Sequence, residues 1–133
     1  MASTLLAGLA HAQPKADASA AEAARSMDAP YIAVPVVRNG QLVNYIFVTM
    51  RIDIAPNVDL WRTRERAHFL RDALVRAAHR TSLADATRDD QLNTQLALAT
   101  FRTAASQALG PQAVRNLTIV QSYSARRTTE SQR

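Results

Sequence analysis

The 133-residue chain has no cysteine, three glycines and a single lysine, and only 5% of its residues are aromatic. The lack of cysteine excludes a disulfide framework, a thiolate metal site and a cysteine nucleophile. Three widely separated glycines leave no glycine-rich loop of the kind that cradles phosphate groups. With seven aromatic residues against 26 alanines, the chain is expected to fold around a small core that is mostly aliphatic.

The chain also lacks any apolar run of the ~20 residues that a membrane-spanning helix needs. Near the start, Ala10-His11-Ala12 has the small-x-small form that signal peptidase accepts, after a short apolar stretch without a cationic start. Residues 1–12 are therefore predicted to be the end of a signal peptide that begins upstream, or a weak signal. An alanine-rich tail of a cytoplasmic protein is the alternative. The favoured interpretation is a periplasmic protein, soluble or anchored from upstream.

The remaining chain divides by composition into three parts. Residues 13–30 are rich in alanine, serine and acidic residues, which predicts a flexible linker. Residues 31–127 have the periodic apolar pattern of a single α+β domain, and residues 128–133 are predicted to be a disordered tail. The apolar content of so small a domain is marginal for a monomer, so self-association is expected.

Three segments of the domain have the pattern of β-strands. Residues 31–37 are β-rich but contain Pro35, which suits an edge strand. Asn39-Gly40 follows and predicts a tight hairpin turn. Residues 41–54 alternate, so Leu42 is expected on the core face together with Ile46, Val48, Met50, Ile52 and Ile54. Residues 114–125 form the last predicted strand, with Leu117, Ile119 and Tyr123 on one face.

Two helices are predicted between the second and third strands, which gives the order β-β-α-α-β. The first extends from Leu60 to about Arg80 and buries an apolar arc. The second, residues 91–109, is capped by Asp89 or Asp90 and ends at Gly110-Pro111. A small antiparallel three-stranded sheet with both helices packed on one face is the expected architecture.

The positive charge is concentrated on the first predicted helix. The chain carries a net charge of +5, and residues 60–80 contain six arginines against two acidic residues. A basic stripe of this kind indicates nucleic acid, an anionic surface or an acidic protein partner, although it is more often a solvated helix face. The candidate partner-binding residues are Arg62, Arg66, Phe69, Arg76 and Arg80.

No arrangement in the sequence indicates catalysis. His68 and His79 share a helical face but lie ~16 Å apart along the axis, too far for one metal ion. Ser82 and Asp85 have no neighbouring histidine, and no nucleophile-elbow motif occurs. The sequence therefore predicts a protein that is not an enzyme and that needs no cofactor or metal.

Residues 31–125 resemble the periplasmic domain of FliL, the flagellar basal-body-associated protein. The resemblance rests on the opening strand at Tyr31, the long strand to Ile54 and the helix leading into residues 81–85. It continues in the second helix, which ends at Gly110-Pro111, and in the final strand from Val114. The family implies a stomatin-like (SPFH-like) α+β domain that is not an enzyme, assembles through protomer contacts and supports the flagellar stator. The family usually carries a membrane helix before the linker, where this sequence has a short apolar stretch and an apparent cleavage site; a soluble periplasmic relative and a gene start further upstream both account for that difference.

Two functional hypotheses follow from these observations. The first is a non-catalytic periplasmic scaffold that forms a homo-oligomer and contacts envelope or stator proteins. The alternative is a small basic nucleic-acid-binding protein that uses the arginine-rich first helix.

Overall fold

A computed structural model describes residues 25–126; the predictions for residues 1–12, 13–24 and 128–133 lie outside this part. The elements are β1 (Ser26–Arg38), β2 (Gln41–Ile54), α1 (Leu60–Glu65), α2 (Ala67–Arg80), α3 (Thr94–Leu109) and β3 (Val114–Ser124). The strands form one antiparallel sheet with β2 in the centre, and α2 packs over β1 while α3 packs over β3. The fold is therefore α+β with the predicted order, although the first predicted helix is split into α1 and α2.

The hairpin between β1 and β2 is the one that Asn39-Gly40 predicts. Asn39 has a φ of 53° and Gly40 a φ of 77°, the left-handed values that a type I′ turn requires at both positions. Arg38 pairs directly with Gln41, so the loop has two residues. This local signal sets the register from which the rest of the sheet extends.

Strand β1 begins earlier than expected, inside the predicted linker of residues 13–30. Its first residue is Ser26, and Met27 and Ala29 are buried opposite Ile52 and Met50 of β2. The composition suggested a linker because small and polar residues surround these two apolar positions. Pairing with β2 gives their backbone its hydrogen bonds, and no local pattern reveals that pairing.

A bulge interrupts β1 at Pro30 and Tyr31, which together lie opposite Thr49. Tyr31 has a φ of 55°, a left-handed value that is uncommon for a residue with a side chain. Its backbone N–H donates to Thr49 Oγ1 at 3.3 Å, and Arg71 of α2 donates from Nη1 to the Pro30 carbonyl at 2.7 Å. Contacts from β2 and α2 thus hold the unusual conformation in place.

Two further register shifts correct the predicted faces of β2 and β3. A shift at Val43 moves Leu42 off the core face, and its side chain is 53% exposed. A second shift at Val120 moves Tyr123 to the face opposite Leu117 and Ile119, where Tyr123 pairs with Phe47. Because side chains alternate along a strand, one extra residue reverses every orientation beyond it.

The core lies between the sheet and the two long helices, and it is small and mostly aliphatic, as expected. Phe101 is the only aromatic side chain buried in it, with no exposed surface. The other fully buried large side chains are Ile32, Val34, Val36, Ile46, Val48, Met50, Ile52, Leu70, Leu74 and Leu83.

The helices differ from prediction at their boundaries. Arg66, with φ −91° and ψ 12°, separates α1 from α2, and its N–H bonds the Thr63 carbonyl at 3.0 Å. The second long helix begins at Thr94 and is capped by Asn93, whose Oδ1 accepts from Leu96 N at 3.2 Å. Asp89 and Asp90 therefore do not cap it, because residues 83–93 first form a small loop with a bridge between residues 84 and 92. Its predicted end at Gly110 is confirmed.

Replacing Phe101 with alanine should strongly destabilise the domain. The fully buried ring would leave a cavity, at a cost of about 3–5 kcal/mol in the free energy of unfolding. Phe69→Ala is the matched control, because the Phe69 ring is 56% exposed and its loss should cost less than about 1 kcal/mol. Urea unfolding followed by circular dichroism measures both; equal losses would contradict this assignment of the core.

Candidate interaction surfaces

The structure brings four of the five candidate partner-binding residues to one groove. Arg66, Phe69, Arg76 and Arg80 line an open cavity of about 390 Å³ on the side of α2 that faces α3. The fifth, Arg62, lies on α1 and forms a long ion pair with Asp59, with 3.8 Å between Nε and Oδ2. The break at Arg66 separates it from the others. We call the four-residue set and its cavity the arginine groove.

The arginine groove lies between two antiparallel helices. Arg66 at the start of α2 donates to the carbonyl of Ala108 near the end of α3, at 3.4 Å. At the other end, Thr81 and Ala99 line a second cavity of about 430 Å³ that also contains Arg80. The two cavities share Arg80 and Gln107, so they adjoin along the helix pair, and we call the two together the channel.

Charge in the arginine groove is unequally distributed between its two walls. Two of the three arginines belong to α2 and Arg66 immediately precedes it, whereas α3 contributes the neutral side chains of Thr103 and Gln107 to the channel. Asp72 is the acidic residue in the lining, and it pairs with Arg76 at 3.1 Å. Both partners of this pair are more than half exposed, so the pair contributes little to stability.

A second surface lies on the opposite side of the molecule, where no helix covers the sheet among the described residues. Six apolar or aromatic side chains share this face, and we call them the open-face patch: Tyr31, Val37, Leu42, Tyr45, Phe47 and Tyr123. Four of them are substantially exposed, from 46% for Tyr123 to 57% for Tyr31. Large exposed apolar patches are typical of interaction sites.

The aromatic rings of the open-face patch contact one another. Phe47 stacks on Tyr123 with ring centroids 5.3 Å apart, and Tyr31 meets Tyr123 edge-on at 6.4 Å. Tyr45 lies 6.4 Å from Phe47. These separations are within the range of favourable ring pairs, so the rings hold each other in place without being buried.

The alternation in residues 41–54 places Tyr45 and Phe47 on the face opposite Ile46 and Val48, but no sequence pattern identifies the patch as a unit. The predicted faces put Leu42 with the core residues of β2 and Tyr123 with Leu117 and Ile119, and the bulges at Val43 and Val120 reverse both side chains. In the sequence, the proline directly before Tyr31 indicates that the strand is irregular at this point. The face of the sheet on which the Tyr31 side chain lies depends on the pairing of Tyr31 with Thr49, which is 18 residues away in the chain.

Polar contacts anchor the loop after α2 to the hairpin end of the sheet. Asn44 is buried, and its Nδ2 donates to the Asp89 carbonyl at 2.9 Å and to Ser124 Oγ at 2.7 Å. Its Oδ1 accepts from Arg126 N at 3.0 Å. Arg38 pairs with Asp89 at 2.8 Å and also donates to the Asp85 carbonyl. These bonds anchor the loop that connects α2 and α3 to the sheet.

Asp85 organises this loop from within. Its Oδ1 accepts the backbone N–H of Thr87 at 2.9 Å and that of Arg88 at 3.2 Å, together with the Thr87 hydroxyl at 3.0 Å. These donors, the Thr87 N–H foremost, hold the pKa of the Asp85 carboxyl below its ordinary value. The carboxylate is thus a structural acceptor within its own loop.

Residues 25–126 contain neither a metal-binding cluster nor a membrane-spanning helix. No three histidine, aspartate or glutamate side chains there lie close enough together to hold a metal ion. The helices of this region are all too short or too polar to cross a bilayer.

No protein-family model, curated protein or solved structure matches this chain.

The lowered pKa of Asp85 predicts a pH-dependent stability contribution. Because the folded-state pKa lies below the unfolded value, the contribution is fully present above the unfolded pKa and is lost as the pH falls through the folded pKa. Asp85→Asn should therefore reduce the free energy of unfolding at pH 7, and the difference from wild type should shrink in acid. Denaturant unfolding from pH 7 to pH 2.5 measures this, and a difference that grows in acid would contradict it.

Proposed function

We propose that this domain is a non-catalytic assembly module of the bacterial periplasm that resembles the periplasmic domain of FliL. It binds further copies of itself and proteins of the cell envelope or flagellar stator. Its role is to hold partners in position rather than to transform a substrate.

The open-face patch is the observation that carries this proposal. Phe101 is the one aromatic side chain in the core, while three tyrosines and Phe47 lie together on the uncovered face of the sheet. Burying these rings in a small domain would have enlarged a modest core. Their outward placement is understandable if another protein covers them, because tyrosine and phenylalanine are enriched in protein interfaces.

The element order also supports the proposal. The FliL resemblance rests on the order β-β-α-α-β and implies an α+β domain, and this chain folds in that order. Such an arrangement leaves one sheet face for contact with other molecules. The strand from Val114, which the resemblance includes, contributes Tyr123 to that face.

A double substitution in the open-face patch, Leu42→Ser with Tyr123→Ser, should abolish assembly while leaving the fold intact. Both side chains are about half exposed, so the free energy of unfolding should change by less than about 1.5 kcal/mol. Sedimentation velocity should show concentration-dependent association for wild type and monomers for the variant. Leu96→Ser is the matched control, since Leu96 is an exposed leucine on α3, away from this face.

The flagellar part of the proposal is tested in the bacterium that carries the gene. Deletion should impair swimming or swarming; the wild-type gene and the Leu96→Ser control should restore motility, and the double variant should not. Unchanged motility without flagellar localisation of the protein would overturn the flagellar assignment. Assembly that persists in the double variant would overturn the role of the open-face patch.

Nucleic-acid binding is a second candidate because Arg66, Arg76 and Arg80 line one groove. Its weakness lies in the position of the aromatic rings. Single strands bind where bases stack on aromatic side chains beside a basic path. Here Phe69 is the one aromatic residue in the groove lining, and the four-ring cluster lies on the far side of the sheet.

A mobility shift with single-stranded and duplex DNA decides this second candidate. If the three arginines each neutralise one phosphate, the affinity should fall about fortyfold between about 50 and about 200 mM salt. We expect little binding at either concentration. A specific complex with that salt dependence, lost in Arg76→Gln with Arg80→Gln, would favour the nucleic-acid function over the assembly function.

A further inference from the structure

We propose that the arginine groove receives an amphipathic helix of a partner protein, with acidic residues along one flank of that helix. This inference deepens the proposed function, on which it rests, by identifying a second binding surface and the chemistry of its occupant. The open-face patch and the arginine groove lie on opposite sides of the domain, so both can be occupied at once.

The shape of the channel favours a helical occupant. It follows two antiparallel helices for the length from Arg66 to Arg80, which is ~21 Å at ~1.5 Å per residue. A helix of about four turns has the same length. An amphipathic helix that lies in a groove between two others is a recurrent mode of peptide recognition, and its apolar side chains enter the groove every three or four residues.

The residues along α2 follow the spacing that such packing uses. Arg66, Phe69, Ala73, Arg76 and Arg80 all line the same cavity, and successive members are three or four residues apart. This is the a/d spacing of helices that pack side by side. The stripe differs from a coiled-coil seam in having arginines at three of its five positions, so the docking helix must supply the opposite charge.

Charge complementarity fixes which flank of the docking helix is acidic. The α2 wall provides three guanidinium groups, whereas Thr103 and Gln107 on α3 provide neutral polar groups. A docking helix therefore matches the channel when its carboxylates face α2 and its uncharged polar residues face α3. Phe69, 56% exposed between Arg66 and Arg76, offers an anchor for one apolar side chain in the middle.

The existing contacts of the arginines do not prevent this docking. Arg76 pairs with Asp72, but both side chains are mostly exposed, so little stability is lost when Arg76 turns to another carboxylate. The bond from Arg66 to the Ala108 carbonyl is long, at 3.4 Å. In the occupied groove these guanidinium groups become partly shielded from water, which strengthens their attraction to carboxylates.

The experiment uses a synthetic helical peptide of about twenty residues with a leucine and alanine stripe. Three glutamates occupy one flank of the peptide. Two of them are four residues apart, to match Arg76 and Arg80. The third lies ten residues from the glutamate that matches Arg76, on the side away from the other one, to match Arg66. An isomer of identical composition carries the glutamates on the side opposite the apolar stripe, where docking in either direction keeps them away from the arginines. Fluorescence anisotropy with the full-length protein should show that the matched peptide binds at least about tenfold more tightly than the isomer.

Variants of the protein locate the bound peptide. Arg76→Gln with Arg80→Gln should weaken binding of the matched peptide at least about tenfold, and Phe69→Ser should also weaken it. The control variant, Arg88→Gln with Arg115→Gln, also removes two positive charges, but from residues outside the groove lining. It should change the affinity for the matched peptide less than about twofold. Circular dichroism verifies that all variants are folded.

Three results would overturn the groove assignment. They are equal binding of the two peptides, equal losses in the two arginine double variants, and displacement of the matched peptide by single-stranded DNA that binds more tightly. The outcome is independent of the assembly experiment, because Leu42→Ser with Tyr123→Ser leaves the groove unchanged. A negative peptide result with a positive sedimentation result would thus reject the groove alone.

Discussion

The organisation of this domain depends on one constraint: the central strand β2 is paired along both edges, and only one of its faces can be buried by two helices. Ile46, Val48, Met50 and Ile52 point to that face and are fully or almost fully shielded from water. A three-stranded sheet is ~10 Å across, which is about the spacing of two packed helices. Helices α2 and α3 therefore cover one face of the sheet, and no helix among residues 25–126 covers the other.

Both candidate surfaces are consequences of this layering. The uncovered sheet face exposes whatever side chains alternate outward, and here these are the rings of Tyr45, Phe47 and Tyr123. On the opposite side, two helices that pack side by side leave a channel along their outer surface. The arginines of α2 lie beside that channel because Leu70 and Leu74 hold the other side of the helix against the sheet.

The two surfaces differ in chemistry and therefore in the partners that we propose for them. The open-face patch is apolar and aromatic, which suits an extensive protein contact whose strength comes from removing rings from water. The arginine groove is narrow and positively charged on one wall, which suits a short acidic helix whose orientation is set by charge. A domain with two such surfaces can link two partners, which is the behaviour of an assembly module.

The sequence by itself determined those features whose signals are local. The turn at Asn39-Gly40, the burial of alternate residues from Ile46 to Ile54 and the helix end at Gly110 depend on residues a few positions apart, and each forms as expected. The tertiary structure decided the rest. Pairing with β2 brought residues 26–30 into the sheet, and the register shifts turned Leu42 and Tyr123 outward. The break at Arg66 and the antiparallel packing of α2 against α3 selected which arginines line one groove. These features arise from contacts between residues far apart in the chain. A local sequence pattern does not indicate the energies of such contacts.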